Sequence, residues 1–415
     1  MQTLHMIQPP NEDSLCLARL QKFTAMPHQP MFLLGAIQAV VVMLWWLADI
    51  AGRYGGWYTP FQWSIPAPWA HLYLMIFCLF PPYMFGFLMT TYPKWMAGAE
   101  ISPKHFLPAA ALLACGVLLA YVGLIAGKVW FMAAIIIYLI GWAFGLFSLL
   151  YVYVGAKRPD TLHAIITSGV LSIGFCLLLV YLFGIIMDNA FLVGIARSGG
   201  IWWFLFPVFF SVSHRMIPFF SGAVIQKYVV VRPNWTLAVL TLGGLIHGAL
   251  EVANQGQWTW LVDFPMSAVA FWLSYKWSIR KVFEVRILAM LHVAFVWVGI
   301  ALALFSVQSV AQLFGIGVVM GRSPLHALMI GYFASMLIAM STRVTLGHSG
   351  RPLSADQRAW AIFITVQLAA LVRVLADFPG VHTYASHLYL CSALLWLVAF
   401  GSWLFKFTPM YWTKP

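Results

Sequence analysis

The sequence predicts an all-α, polytopic membrane protein of about 12 transmembrane helices. Of its 415 residues, 62% are hydrophobic and only 8% are charged, whereas about a quarter of the residues in a soluble domain are charged. The mean hydropathy is +0.88. Several apolar runs reach the ~20 residues that a helix needs to cross the hydrocarbon core. Because a helix satisfies its own backbone in lipid, spanning helices are expected.

Proline, glycine and charged residues separate the apolar runs, as is typical of short turns between helices. Residues 31–407 are predicted to form a single 12-helix membrane domain, between a cytoplasmic N-terminal segment (1–30) and a cytoplasmic C-terminal tail (408–415). Pro81-Pro82 removes backbone hydrogen bonds within the second span, which predicts a bend there. The twelve expected spans are 31–51, 68–92, 106–127, 130–154, 161–187, 200–220, 234–252, 259–275, 286–307, 324–342, 358–377 and 384–407.

Basic residues predict the orientation of these helices. The net charge of +12 comes from residues scattered through short loops, a pattern that sets topology and does not indicate nucleic-acid binding. Seventeen lysines and arginines lie in the termini and the even-numbered loops. The odd-numbered loops carry only five, which are Arg53, Lys128, Arg197, Arg322 and Arg373. This bias predicts that both termini are cytoplasmic.

The five cysteines limit the kinds of cofactor that the chain can hold. They form neither a CxxC nor a CxxCH pattern. The sequence therefore excludes covalent attachment of a c-type haem and argues against a disulfide framework.

The twelve histidines are numerous for a chain so poor in other polar residues, and they fall at two predicted depths. Imidazole is the usual axial ligand of a b-type haem and a frequent copper ligand. His71 and His326 begin the second and tenth spans near the outer boundary. They are therefore candidate haem or metal ligands, and the alternative is that they are wetted by lipid headgroups. The second, sixth and tenth spans all run inward and all carry a histidine, which hints at a repeat of four helices.

A second outer candidate is the pair His247 and Glu251, which stand four residues apart on one helix face. Such a pair can bind a non-haem metal or relay protons. Solvation at the membrane interface is the alternative.

The inner candidates for cofactor or metal binding are His214, His292 and His348, with Arg215, Arg343 and Arg351 as basic partners. Burial of an unpaired histidine is costly, so His214 and His292 each need a metal or a hydrogen-bond partner. Arginine suits haem propionates because its guanidinium group matches a carboxylate. Anchoring of the inner loops is the alternative role for the arginines.

Four stretches of the chain resemble the NnrS family of haem- and copper-containing bacterial inner-membrane proteins linked to nitric oxide. The stretch PWAHLYLMIF followed by FGFLMTTYPKWMAG is similar to the family's WHAHEMLFGF and GFLLTAVPNWTG. HRMIPFFSG resembles GGRVIPFFT, and LHVAFVWVG resembles LHLGYAWLG. The most specific stretch is the C-terminal signature HALMIGYFASMLIAMSTRVTLGHSGRPL.

The chain also departs from the family pattern. His71 matches the first histidine of the family's HxHE motif, whereas Tyr73 and Leu74 replace its second histidine and its glutamate. His214 stands where the family usually shows glycine. The chain is therefore similar to a divergent member.

The resemblance implies one or two haem b groups, with copper or another non-haem metal as a further cofactor. It implies nitric oxide metabolism or resistance to nitrosative stress, by binding or reducing nitric oxide at an intramembrane metal site. Nitric oxide, membrane lipid and an unidentified electron donor are the expected partners. Whether the chain is an oxidoreductase similar to nitric oxide reductases stays open. The alternatives are a transporter with a histidine-lined path and a bis-histidine haem electron-transfer subunit.

Overall fold

A computed structural model describes residues 12–157, 161–316 and 319–413 of the chain. Within these ranges the regular structure is helical throughout and includes no strand. A short helix, α1 (Glu12–Phe23), precedes the membrane domain. The remaining helices are α2 (His28–Arg53), α3 (Ala67–Met96), α4 (Pro103–Ala126), α5 (Lys128–Val154), α6 (Leu162–Ile186), α7 (Ala190–Val224), α8 (Asn234–Val252), α9 (Trp260–Lys276), α10 (Arg286–Leu313), α11 (Ser323–His348), α12 (Gln357–Leu375) and α13 (Ala385–Tyr411).

The fold class predicted from the sequence is confirmed. Within the described ranges, eleven helices are long and apolar enough to cross a membrane. The helix predicted at 259–275 is present as α9, but its 17 residues span only about 26 Å at ~1.5 Å per residue. That is slightly less than the ~30 Å hydrocarbon core.

Several predicted helix ends differ from the structure. The largest difference is at α7, which begins at Ala190, ten residues before the predicted start at 200, and α10 continues to Leu313, six residues beyond the predicted end at 307. Helix α2 begins at His28, so this residue lies within the first membrane helix and is buried instead of belonging to the N-terminal segment. Helix α11 continues to His348, six residues beyond the predicted end of that span. The His28 and His348 rings then lie 5.0 Å apart between their centroids. The two rings thus pack against each other at the helix ends that extend beyond the predicted apolar runs.

Short turns make consecutive helices antiparallel, so the bundle has two ends. The upper end carries the turns that follow Arg53, Ala126, Ile186, Val252, Leu313 and Leu375. The lower end carries the turns that follow Met96, Val154, Val224, Lys276 and His348.

Helices α3, α7 and α11 share a feature that supports the four-helix repeat. Each contains a π-helical segment in its upper half, at Tyr73–Leu79, Gly200–Leu205 and Ala327–Ala334 respectively. A π-helical segment widens the backbone and often marks a functional site. Helices α3 and α11 are also the most enclosed, with 94% and 83% of their most apolar stretches buried. The three widened helices are therefore central elements of the bundle.

Side chains compensate for the altered backbone of these segments. The Gln38 amide Nε2 donates a hydrogen bond to the Leu74 carbonyl at 3.2 Å, and the Ser335 hydroxyl donates to the Ile330 carbonyl at 3.2 Å. In hydrocarbon a freed carbonyl has no water to accept from, so these donors stabilise the widened turns. Gly200 brings α3 and α7 together at this level, because a Cβ atom there would lie 2.8 Å from Ile76 Cγ2.

Candidate functional site

A large cavity lies at the upper end, where the π-helical segments of α3, α7 and α11 converge. Its volume is about 920 Å³, and each of the three segments contributes apolar side chains to its wall. Polar groups are few. The histidine and charged side chains are His71, Arg197, Arg322, His326, Arg373 and Asp377, and Tyr54, Tyr389 and Ser392 add hydroxyl groups. A large apolar pocket with a few convergent polar groups is the usual form of a cofactor site.

His71 enters the cavity from the first turns of α3. Its ring stacks on the Trp46 ring of α2, with 3.9 Å between centroids and 23° between planes. Its Nδ1 atom is buried and has no hydrogen-bond partner among the described residues. Because an unsatisfied imidazole nitrogen is costly in an apolar site, this ring is suited to bind an additional group.

His326 enters the same cavity from the start of α11. Its Nδ1 atom lies 2.9 Å from the Arg322 carbonyl oxygen. A carbonyl only accepts hydrogen bonds, so Nδ1 must carry the hydrogen and Nε2 is left with its lone pair. This arrangement fixes the tautomer and orientation that a metal-binding histidine needs.

Three arginines line the same cavity. Asp377 organises two of them, because its Oδ2 atom accepts from the Arg322 backbone N–H at 2.9 Å and from Arg373 Nη1 at 3.1 Å. Tyr389 donates its hydroxyl to Asp377 and packs its ring under Arg373, 4.4 Å from the guanidinium carbon. Asp377 thus neutralises Arg373, whereas the Arg322 side chain forms no ion pair within the described ranges.

Sequence reasoning counted these arginines only as topological charges and did not assign them to the site. The structure accounts for all five basic residues of the predicted outer loops. Arg53 pairs with Asp49 at 2.9 Å and Lys128 pairs with Asp188 at 2.7 Å, while the other three reach the cavity. The sequence did contain a signal for this role, because these arginines lie at the end of the bundle where basic residues are rare.

The outer pair His247 and Glu251 is part of a larger cluster. His247 Nδ1 lies 2.6 Å from Asp263 Oδ1, and His247 Nε2 lies 3.4 Å from Glu251 Oε1. The imidazole is fully buried between Trp202 and Phe305, with ring centroids 3.7 Å and 4.9 Å away. Asp263 was not assigned to this site because it lies on the next helix, 16 residues away.

The deep inner histidines are hydrogen-bonded. His214 Nδ1 lies 3.1 Å from His163 Nε2, and His214 Nε2 lies 3.1 Å from Thr236 Oγ1. His292 Nε2 lies 3.0 Å from Ser221 Oγ. These contacts supply the partners that burial demands, and neither histidine lines the cavity.

The inner arginines and His348 lie at the lower end, away from the cavity. Arg343 packs over the Phe220 ring at 3.7 Å, and Arg215 packs over Trp95 at 4.7 Å. Arg351 Nη2 lies 3.4 Å from Thr413 Oγ1 near the C-terminus. Their proposed role at a second cofactor stays a prediction.

Within the described ranges, no group of three or more histidine, cysteine, aspartate or glutamate side chains is arranged to hold a metal ion. Copper binding therefore stays a prediction. A haem differs in this respect, because it brings four nitrogen ligands of its own and needs only one or two from the protein.

Comparison with known families gives one match. The family model described as NnrS protein matches residues 22–414, which is nearly the whole chain. A comparison with curated proteins finds no match.

Proposed function

We infer, from the premise that the chain belongs to the NnrS family, that it is a haem b protein of the bacterial inner membrane that binds nitric oxide. Family membership and the spanning helices already give a multi-pass membrane protein linked to nitric oxide. The haem b cofactor, its location in the chain and the bacterial inner membrane as the site of the protein are what we infer beyond this. The observation that carries it is the upper cavity, where His71, His326 and Arg322 converge.

The size of the cavity supports a macrocycle as its occupant. A diatomic gas needs about the space of a water molecule, ~30 Å³, and the cavity holds about 920 Å³. Ligand pockets range over roughly 300–1,000 Å³. A cavity at the top of this range, with mostly apolar walls, suits a large planar cofactor.

The polar groups fit a haem in type and number. His326 presents an oriented Nε2, and the His71 ring lines the same cavity. The Arg322 guanidinium, which forms no ion pair with any described residue, suits a carboxylate, and Arg197 adds positive charge to the same wall. Haem b requires nitrogen ligands and positive partners for its propionates, and it requires no CxxCH sequence.

The two histidines are unequal. His326 is anchored by its hydrogen bond to the Arg322 carbonyl, whereas His71 is positioned by stacking on Trp46. A ligand whose second nitrogen donates to a carbonyl is oriented and more basic. His326 would therefore be the stronger ligand and His71 the weaker one.

A ferrous haem supplies an iron orbital that can accept nitric oxide. The protein contributes an apolar enclosure within the membrane, where a small uncharged gas dissolves. Trp46, Met75 and Met329 form part of this enclosure.

A visible spectrum of the detergent-purified protein tests the proposal. We expect a Soret band, a b-type pyridine haemochrome, and a spectral shift when nitric oxide is added to the reduced protein. A colourless protein from haem-sufficient cells would overturn the cofactor assignment. A coloured protein that ignores nitric oxide would favour an electron-transfer subunit.

A further inference from the structure

The cluster of Asp263, His247 and Glu251 lies outside the wall of the upper cavity and has no role in cofactor binding. It joins α8 to α9, and Asp263 and His247 are fully buried. Asp263 Oδ1 is paired with His247, whereas Asp263 Oδ2 has no hydrogen-bond partner among the described residues. A buried carboxylate with one oxygen left without a partner needs a reason, because its burial is unfavourable.

The geometry of the cluster is a chain and not a metal site. The two ring nitrogens of His247 point to opposite sides, Nδ1 to Asp263 and Nε2 to Glu251. The three side chains therefore do not converge on one point, in agreement with the lack of a metal cluster in the described residues. A histidine between two carboxylates can accept a proton on one side and release one on the other.

The protonation of the cluster follows from its hydrogen bonds. Carboxylate oxygens only accept, so the contacts to both ring nitrogens are hydrogen bonds when both nitrogens carry hydrogen. The resulting imidazolium lies between two anions and against the face of the Trp202 indole at 3.7 Å, which also favours a cation. If the imidazolium passes one proton to a neighbouring carboxylate, the cluster holds the same number of protons as a neutral imidazole and one carboxylic acid. The proton can thus move within the cluster without changing its net charge.

One member of the cluster reaches outward. The Glu251 side chain is 27% exposed, whereas that of Asp263 is fully buried. Ser198 and Arg197 both influence the same carboxylate, and Arg197 also lines the upper cavity. Glu251 is therefore the member of the cluster that is linked both to the surface and, through Arg197, to the cavity.

We propose that Glu251, His247 and Asp263 form a proton-storing relay that takes up protons at the upper surface and delivers them to the cavity through Glu251. This inference rests on the proposed binding of nitric oxide and extends it, because it adds reduction of the bound gas as the reaction that consumes the protons. That reaction also consumes electrons, for which a membrane electron donor is required.

The transfer balances in protons. The imidazolium of His247 gives its Nε2 proton to the Glu251 carboxylate, and the neutral ring keeps its Nδ1–H bonded to Asp263. Glu251, now a carboxylic acid, releases this proton toward the cavity and becomes a carboxylate again. A proton from the surface restores the imidazolium by the reverse path through Glu251.

Infrared difference spectra of the purified full-length protein between acidic and alkaline pH test the relay without any reaction. We expect a protonated-carboxyl band that shifts in D₂O and is lost in both Glu251→Gln and Asp263→Asn. Asp188→Asn is the matched control, because Asp188 is an upper-end carboxylate paired with Lys128 and is 76% exposed. A band that is unchanged in both cluster variants overturns the relay. Since Glu251→Gln is nearly isosteric and partly exposed, it should fold even if Asp263→Asn does not.

Delivery to the cavity is tested by mixing the reduced protein with nitric oxide and following proton uptake with a pH dye. We expect Glu251→Gln to bind nitric oxide as the wild type does but to take up protons ~10²-fold more slowly, the smaller effect typical of losing a general acid. Unchanged uptake in this variant overturns delivery. A wild type that binds no nitric oxide refutes the proposed function, while the infrared result still decides whether the relay exists.

Discussion

Replacement of His326 by alanine, compared with replacement of His71, tests the inequality of the two proposed ligands. Both residues line the same cavity, but only His326 has its second ring nitrogen bonded, at 2.9 Å to the Arg322 carbonyl. The His71 Nδ1 atom has no such partner in the described part of the chain. We therefore expect His326→Ala to weaken haem binding more than His71→Ala does.

The size of the difference follows from the partner of the ring nitrogen. Outer partners that orient a ligating histidine are typically worth ~10–100-fold in metal affinity. At about 1.4 kcal/mol for each factor of ten, the anchored ligand should bind more strongly by about 1.4–2.8 kcal/mol. Stacking of His71 on Trp46 reduces this difference in binding free energy, since an aromatic pair contributes ~0.5–1.5 kcal/mol. The net expectation is a ratio of dissociation constants near 10.

The assay is titration of haem into apoprotein in detergent, followed by the Soret band. His387→Ala is the matched control, because His387 is an exposed upper-end histidine that does not line the cavity. It should bind haem as the wild type does. Added imidazole should restore the wild-type spectrum of His71→Ala more readily than that of His326→Ala. Equal losses in the two variants, or a larger loss in His71→Ala, would refute the reasoning.

Three further predictions concern the cavity and the π-helical segments. Arg322→Gln should weaken haem binding several-fold in the same titration without disturbing Asp377, which bonds to the backbone N–H of residue 322; unchanged affinity would remove Arg322 from the site. Gly331→Ala should destabilise the protein by ~1–3 kcal/mol, because a Cβ atom would lie 2.4 Å from the Trp297 indole. Thermal unfolding in detergent measures this loss of stability, and an unshifted unfolding midpoint would contradict the prediction. Gln38→Ala should lower the free energy of unfolding by ~1–3 kcal/mol, since it removes the donor to the Leu74 carbonyl. The same unfolding assay applies, and wild-type stability would show that another group satisfies that carbonyl.

Local features of the sequence were enough to predict the fold class and most helix positions. Transfer of an apolar run into hydrocarbon depends on the residues of that run alone, so hydropathy finds a span without knowing its neighbours. Several helix ends differ, among them the start of α2 at His28 and the end of α11 at His348, where the two rings pack against each other. That contact joins residues 320 positions apart, and no local pattern reports it.

The sequence also singled out His71, His326, His247 and Glu251 as chemically notable, because each is a polar side chain in an apolar context. It could not indicate which of them share a site. His71 and His326 meet at one cavity only because α3 and α11 both pass through the centre of the bundle.

Asp263 joins His247 because α8 and α9 pack in a register that places the two side chains 2.6 Å apart. The spacing of four residues to Glu251 is a property of one helix and was visible in the sequence. The relation to Asp263 is a property of two helices and was not.

The three arginines of the cavity illustrate the same division. Their sequence positions predicted which end of the bundle they occupy, because that depends on the loop to which each belongs. Their convergence on one cavity comes from the packing of three helices, since Arg197 lies on α7, Arg322 directly precedes α11 and Arg373 lies on α12. Hydropathy is a sum over neighbouring residues, whereas a site is assembled by packing between distant ones, so only the tertiary structure could decide where the site lies.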